Sequence, residues 1–361
     1  MRVVIKVGTN LLTGRDGSLD RGRIRVFAEE LAALRRKDMQ VVLVSSGAIG
    51  AGMGKLGVTK RPSSLREKQA LAAIGQPLLM DAYQENFERL GITIAQVLLT
   101  RQDFDDRKRY LNARSTLLTL LDLGVVPIIN ENDTVAVDEI NFGDNDTLAA
   151  LVAGKVAADL LILLTDVDGL YSGVPGKSPL IPVVAKVTAE IEACASCVSG
   201  SGKGTGGMKT KLNAARMAAS AGVKMVIANG STPGIVTRIM GGEAVGTAFL
   251  PQRSLEARKC WIAFGTKCRG KIVVDEGAER ALTLQGKSLL PSGITEAEGR
   301  FDVGDAVSIV NPGRKEIGRG LTYYSAATVN KIKGKKTSDV RKILPDAGFD
   351  EVIHRDNLVI L

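Results

Sequence analysis

The chain has one histidine, His354, and four cysteines in 361 residues. With imidazole confined to the C-terminal end, Ser-His-Asp, Cys-His and histidine-metal chemistries are excluded from most of the sequence. His354 itself reads as a structural or surface residue. Cys194, Cys197, Cys260 and Cys268 are too few and too unevenly spaced for a disulfide framework. A zinc site built from them would need to bridge a long gap without histidine, so free thiols are the default. Long apolar runs are missing too. The longest, such as Leu160 to Leu164, fall far short of a bilayer. Met1 to Lys6 breaks into Gly8-Thr9-Asn10 before a signal-peptide core can form, so the expectation is a cytoplasmic protein with no membrane partner.

What is present describes an ordinary globular chain, with 45% hydrophobic and 24% charged residues and enough length for two domains. The formal net charge is +9, of which +2 falls after residue 268 and +7 before it. That distribution favours small anionic ligands at least as much as a polynucleotide. The largest concentration of unusual residues is Gly202-Lys-Gly-Thr-Gly-Gly-Met-Lys-Thr-Lys211, which opens into an alanine-rich helical pattern. Glycines let backbone N–H groups crowd an anion, a helix N-terminus adds positive potential, and lysines add mobile charge, so phosphate suits the segment. No register supplies a Walker A motif. Gly202, Gly204 and Gly207 match G-x-G-x-x-G, but without a strand before them or an acidic residue about 20 positions on, a dinucleotide site is not supported. A flexible surface linker is the plainer alternative.

Several short aliphatic runs end in polar tips: Val3–Val7 in Gly8-Thr9-Asn10, Val41–Val44 in Ser45-Ser46-Gly47, Val125–Ile129 in Asn130 to Asp133, Leu160–Leu164 in Thr165-Asp166, and Val223–Ala228 in Asn229. Helical patterns over Arg23–Lys37, Leu65–Leu90, Asn112–Leu123, Asp146–Val156 and Lys209–Ala221 lie between them. This alternation predicts an α/β chain: a three-layer α/β/α sandwich around a mainly parallel sheet, with ligands gathered beyond the strands' carboxyl ends. After Pro251 the texture changes to short strands separated by glycine turns. The expected division is a catalytic domain over 1–252, a linker over 253–268 and a small β-rich domain over 269–361.

Two lysines stand out. Lys6 interrupts an apolar strand and is costly to bury unless it emerges at a site or meets an anion; snorkelling to solvent is the alternative. Lys211 stands where the glycine loop becomes a helix. A lysine–phosphate pair 4 Å apart gains only ~1 kcal/mol in water but ~4 kcal/mol at an effective dielectric of about 20. Asn132, Asp133, Asn145 and Asp146 cluster in two loops, where they could hold an ammonium group, orient lysines or contact magnesium through water. The same residues would serve ordinary Asx turns, and Asp146 an ordinary helix N-cap.

Lys6-Val-Gly-Thr9, Ser45-Ser-Gly-Ala-Ile49, Leu98-Leu-Thr-Arg101, Leu111-Asn-Ala-Arg114, Pro127 to Asp133, Gly143-Asp-Asn-Asp146, Leu164-Thr-Asp166 and Gly204-Thr-Gly-Gly-Met208 occur in that order. Together they resemble the glutamate 5-kinases of the amino-acid kinase superfamily. Val274 to Ala278, Ser288 to Pro291, Phe301-x-x-Gly-Asp305 and His354-Arg-Asp356 resemble the PUA domain that bacterial members carry. The resemblance implies ATP-dependent phosphorylation of the γ-carboxylate of L-glutamate to L-glutamyl 5-phosphate, beginning proline synthesis. It implies that Lys6 and Lys211 neutralise the transferring phosphoryl group and that Asp146 positions them. Ser46, Asp133 and Asn145 would contact glutamate. Lys6, Thr165, Asp166, Thr205, Gly206, Gly207, Met208, Lys209, Thr210 and Lys211 would contact ATP, with Lys209 alternatively a solvent-side helix residue. Magnesium is implied without an assigned ligand. So are proline as feedback inhibitor, a homo-oligomer (dimer or tetramer), and handover of product to glutamate-5-semialdehyde dehydrogenase. The rival readings are a superfamily kinase acting on N-acetylglutamate, aspartate, carbamate or UMP and, through the tail, RNA binding, which its near-balanced charge does not favour. The glutamate reading needs no histidine, because a carboxylate is already an ionised nucleophile at neutral pH.

Overall fold

The computed structural model describes residues 1–14, 18–60, 62–136, 145–175, 177–196, 207–252, 259, 261–344 and 349–361. They fall into two compact units, Met1–Ser254 and Leu255–Leu361.

The first unit is an eight-stranded sheet: β1 (Arg2–Val7), β2 (Gln40–Ser45), β3 (Ile94–Leu99), β4 (Val126–Glu131), β5 (Leu160–Thr165), β6 (Val183–Val184), β7 (Lys224–Asn229) and β8 (Thr247–Phe249). Their spatial order is β3-β4-β2-β1-β5-β7-β8-β6, parallel except where β8 runs against β7. β1 lies between β2 and β5, with Val7 beside both Ser45 and Leu164. The chain therefore builds outward from β1 in one direction and then returns to its other side, which opens a crevice beyond the strand ends.

The helices are α1 (Thr9–Leu12), α2 (Arg21–Arg35), α3 (Ala48–Leu56), α4 (Leu65–Glu88), α5 (Gln102–Asp105), α6 (Arg107–Asp122), α7 (Asn145–Lys155), α8 (Ala189–Ser196), α9 (Met208–Ser220) and α10 (Ile235–Met240). Local chemistry starts several of them. Asp20 accepts from Arg23 N at 2.9 Å, Ser64 from Glu67 N at 3.3 Å and Asp106 from Arg109 N at 2.8 Å, each supplying an N-cap. One face of the sheet sends Val3, Ile5, Val7, Leu43, Ile162 and Leu164 into a core with Phe27 and Leu31 of α2, Tyr83 and Phe87 of α4, and Ile235 of α10. The opposite face carries α7, which packs on β1 and β5 with α9 alongside. Strand periodicity does the sorting: Ile5 and Val7 enter the first core, so Lys6, between them, points to the α7 side.

Where α3 crosses α4 the backbones nearly touch. A β-carbon on Gly52 would lie 2.0 Å from Leu71 O, and one on Gly75 1.8 Å from Ala48 O. No other residue fits either place without separating the helices.

The second unit is a five-stranded sheet, β9 (Gly270–Val274), β10 (Ile294–Gly299), β11 (Ala306–Val310), β12 (Glu316–Leu321) and β13 (Leu358–Ile360), ordered β10-β9-β11-β12-β13. Its core includes Ile272, Leu282, Val307, Ile309 and Val352. Within the stretch read as a linker, Trp261–Gly265 forms a π-helical turn of this unit. Trp261, Ile262 and Ala263 are buried, and Arg319 of β12 donates to Ala263 O at 2.7 Å. His354 has the structural role expected of it, since its Nδ1 accepts from Asp356 N and caps a short 3-10 turn. No helix among the described residues is long and apolar enough to cross a membrane.

Candidate active site

At the carboxyl ends of the central strands a carboxylate sits between two ammonium groups. Lys6 arrives from β1, Asp146 from the first turn of α7 and Lys211 from the first turn of α9. Lys6 Nζ is 2.6 Å from Asp146 Oδ1, and Lys211 Nζ donates to Oδ2 at 2.9 Å. Asp146 is 0% exposed, Lys6 7% and Lys211 5%. Burial alone would raise the carboxyl group's pKa, but the two lysines outweigh it and hold Asp146 below the usual carboxylate range. Lys6 therefore does not snorkel to solvent. Asp146, 205 residues of chain notwithstanding, brings the two sequence-distant lysines to one point.

α9 starts after Gly207, its N-cap, with no side-chain cap and no acidic residue in its first turn, so the positive end of its dipole is not offset by a carboxylate of its own first turn. Thr210 Oγ1 donates to Gly207 O at 2.8 Å and lies 3.4 Å from Asp146 Oδ2, which ties the helix start to the carboxylate. Met208 is buried, whereas Lys209 is exposed, and its charge helps, after Arg216, to lower the carboxyl pKa of Glu192. Thr205 and Gly206 lie outside the described residues. At the end of β5, Asp166 is exposed to both burial and hydrogen bonds from Asn10 (3.0 Å) and Thr165 (3.1 Å); the bonds win, and its pKa is lowered.

On the other side of Asp146, Asn145 Nδ2 lies 2.8 Å from Ser46 Oγ, 3.2 Å from Ser45 O and 3.0 Å from Asn130 Oδ1. The amide nitrogen is thus committed to the framework, and none of these bonds uses Oδ1. Behind this layer, Asn130 donates to Gln76 of α4 at 2.9 Å, and Ser45 shares a 2.9 Å hydrogen bond with Tyr83 of the same helix. Asp133 follows β4, half-buried, and burial pushes its pKa up to about 6. Ser46, Asp133 and Asn145 thus lie on the β2–β4 side, and Thr165, Asp166 and the start of α9 on the β5 side, with the lysine–carboxylate group between.

Sequence reasoning missed Gln76, Tyr83 and the part played by Asn10. Asn10 and Asn130 stand in polar strand tips and carried a signal. Gln76 and Tyr83 sit inside a long helical pattern, where nothing distinguishes them. Among the described residues no group of three or more His, Cys, Asp or Glu is arranged to hold a metal ion, and neither Cys194 nor Cys268 forms a disulfide.

The chain is also similar to known proteins. A family model described as the amino acid kinase family matches residues 1–229, and one described as the PUA domain matches 270–344. The chain is 53% identical to a glutamate 5-kinase of Caldanaerobacter subterraneus subsp. tengcongensis, covering 100% of this chain and 98% of that one. It is 52% identical to the glutamate 5-kinase of Moorella thermoacetica, covering 100% and 96%. Among solved structures, the UMP kinase of Bacillus anthracis superposes with a TM-score of 0.50 at 18% identity, over 70% of this chain and 97% of that one, a likeness of fold.

Proposed function

Because the chain belongs to the amino acid kinase family and glutamate 5-kinases match it end to end, we propose that it phosphorylates the γ-carboxylate of L-glutamate with ATP, forming L-glutamyl 5-phosphate for proline synthesis. The observation that carries this reading is the bridging of Lys6 and Lys211 by a fully buried Asp146. Phosphoryl transfer needs no proton removed from a carboxylate nucleophile. It needs in-line placement of two anionic reactants and relief of the charge that builds between them.

The chain's own residues divide that work. Lys6 and Lys211 place two positive charges in a water-poor crevice, where attraction to a phosphoryl oxygen is several times its value in water. Asp146 keeps the two ammonium groups from repelling each other apart and sets the distance between them. Asp133 meets the α-ammonium of glutamate with its carboxylate, while Ser46 and Asn145, already hydrogen-bonded together, line the path of the side chain. Thr165, Asp166, Gly207 and the start of α9 hold the nucleotide, and the resemblance adds Thr205 and Gly206, which lie outside the described residues.

The donor set fits a magnesium ion carried by nucleotide phosphates better than a resident one. Asp146 is already neutralised by two lysines, and no acidic cluster of three stands nearby among the described residues. Such an ion, when bound, would screen phosphate charge. The same reading extends to proline as an inhibitor competing at the glutamate side, to a homo-oligomer, and to delivery of the hydrolysis-prone acyl phosphate to glutamate-5-semialdehyde dehydrogenase in the cytoplasm.

The deciding experiment measures ATP consumption in parallel with glutamate, aspartate and N-acetylglutamate, trapping the acyl phosphate with hydroxylamine. Hydroxamate is expected from glutamate alone. Hydroxamate from N-acetylglutamate or aspartate in its place would overturn the substrate assignment.

A further inference from the structure

α7 carries Asn145 and Asp146 in its first turn and spans eleven residues, about 16 Å. It is buried from Asp146 to Ala153 and again at Lys155. A helix enclosed along its length has little freedom to move sideways, so its axial depth and rotation are set where its ends are tied. Its C-terminal end is tied by several bonds. Arg114 of α6 donates to Lys155 O at 3.0 Å. Ala158 N reaches back to Ala153 O at 2.9 Å, and Ala157 is held at φ +49°, a left-handed conformation that a residue with a β-carbon keeps only when its surroundings impose it.

Lys155 is 1% exposed. Its Nζ stands 3.9 Å from the Phe104 ring centroid and 4.4 Å from that of Tyr110, and donates to Asp103 O at 3.4 Å. The titratable and charged groups at this end of α7 include Asp103 of α5, Tyr110 and Arg114 of α6, and Arg2 of β1, which donates to Val156 O. The Asp103 carboxylate is itself taken by Arg109 at 2.6 Å and by Thr100. The cation therefore rests on ring faces, and among the described residues no carboxylate forms an ion pair with it, Asp103 acting on it from a greater distance.

We propose that Lys155 is a positioning residue for phosphoryl transfer: its ammonium, seated between Phe104 and Tyr110, fixes the depth and rotation of α7 and, through that helix, the placement of Asn145 and Asp146. The proposal rests on the reading of the site given above. Burial pushes the Lys155 pKa down from 10.5 to about 7, with Asp103 pulling part of the way back. The unfolded chain thus binds more protons than the folded one above about pH 7, and this lysine's contribution to stability rises as pH climbs from there towards 10.5. The charged form costs stability. A buried charge retained on those terms serves uniqueness of arrangement. Turnover and stability should then respond to its loss in opposite directions.

The test uses the full chain, with kcat, KM and thermal unfolding measured from pH 6 to 9. Wild-type kcat is expected to fall with a midpoint near pH 7 while Tm does not fall with it. Lys155→Met should unfold at an equal or higher temperature at pH 6.5, lack that midpoint, and turn over about tenfold more slowly with little change in KM, the scale of a sub-ångström misplacement. Phe104→Leu, which removes one ring face, should move the midpoint to lower pH. A Lys155→Met enzyme within twofold of wild-type kcat, or one keeping the wild-type midpoint, would overturn the proposal. So would an unmoved midpoint in Phe104→Leu, which decides the matter if the methionine variant does not fold. Absence of hydroxamate from glutamate in the wild type would instead sink the reading of the site.

Discussion

The two ends of α7 bury lysine charge in opposite ways. At the N-terminal end Asp146 lies within 2.9 Å of both Lys6 and Lys211, and the carboxylate stays ionised although it is 0% exposed. At the C-terminal end Lys155 is buried against two rings and a backbone carbonyl, and its pKa drops to about 7. The contrast teaches that a counter-charge, more than concealment from water, decides whether a buried lysine remains a dependable cation. Electrostatic catalysis belongs at the end that has one.

The change that should break the contrast most severely is Asp146→Ala. It leaves two buried ammonium groups facing each other, so stability should fall by ~3–5 kcal/mol, the usual cost of stripping one partner from a buried ionic group. Turnover should fall by ~10³-fold or more, because neither lysine is then held against the phosphoryl group. Denaturant unfolding and single-turnover kinetics measure the two losses, and a stable variant with near-normal turnover would remove Asp146 from its central role. Lys211→Ala is milder because the Lys6–Asp146 pair survives. The protein should stay folded and lose ~10²-fold in turnover. Near-normal turnover would refute the role given to Lys211.

Asp133 sharpens the comparison from the anionic side, as a half-buried carboxylate with burial as the one cause of its raised pKa. As pH falls through about 6 it takes up a proton and loses its attraction for an α-ammonium group. The KM for glutamate should then rise by up to about tenfold per pH unit below 6, with the KM for ATP unaffected. Asp133→Asn should show a raised glutamate KM that is flat over the same range. An acid limb identical in variant and wild type would assign the titration to another group.

Much of this was legible in the chain. β1, β2, β4, β5 and β7 are aliphatic runs closed by polar tips, and a parallel sheet forces those tips into one crevice, so the positions of Lys6, Ser46, Asp133 and Thr165 were legible without coordinates, while Asp146, at the start of α7, was marked by its Gly143-Asp-Asn-Asp146 motif. What stayed hidden was hidden for physical reasons. α3 contains Gly50, Gly52 and Gly54, which argue against a helix by propensity, yet Gly52 is there because α4 approaches too closely for a side chain. β10 and β12 read Ile-Thr-Glu-Ala-Glu-Gly and Glu-Ile-Gly-Arg-Gly-Leu, too polar and glycine-rich to announce strands. Lys155 occupies the last turn of its helix, where a lysine ordinarily complements the dipole from solvent; its burial depends on Phe104 and Tyr110, contributed from some 50 residues earlier.

Lys209 should give the smallest effect and tests whether proximity in sequence means proximity to the chemistry. It lies two residues from Lys211, but the 3.6-residue turn sends it to the exposed side of α9, where its charge acts on Glu192 while Lys211 reaches Asp146. A surface cation of this kind can draw in a polyanionic nucleotide only through a screened field, with a reach of about 10 Å at 0.1 M salt. Lys209→Ala should therefore leave kcat unchanged and raise the KM for ATP by about threefold at low salt, the difference shrinking towards nothing by 0.5 M KCl. A tenfold rise that persists at high salt would mean direct contact with the nucleotide, and the exposed side of α9 would then have to close over the phosphates during turnover.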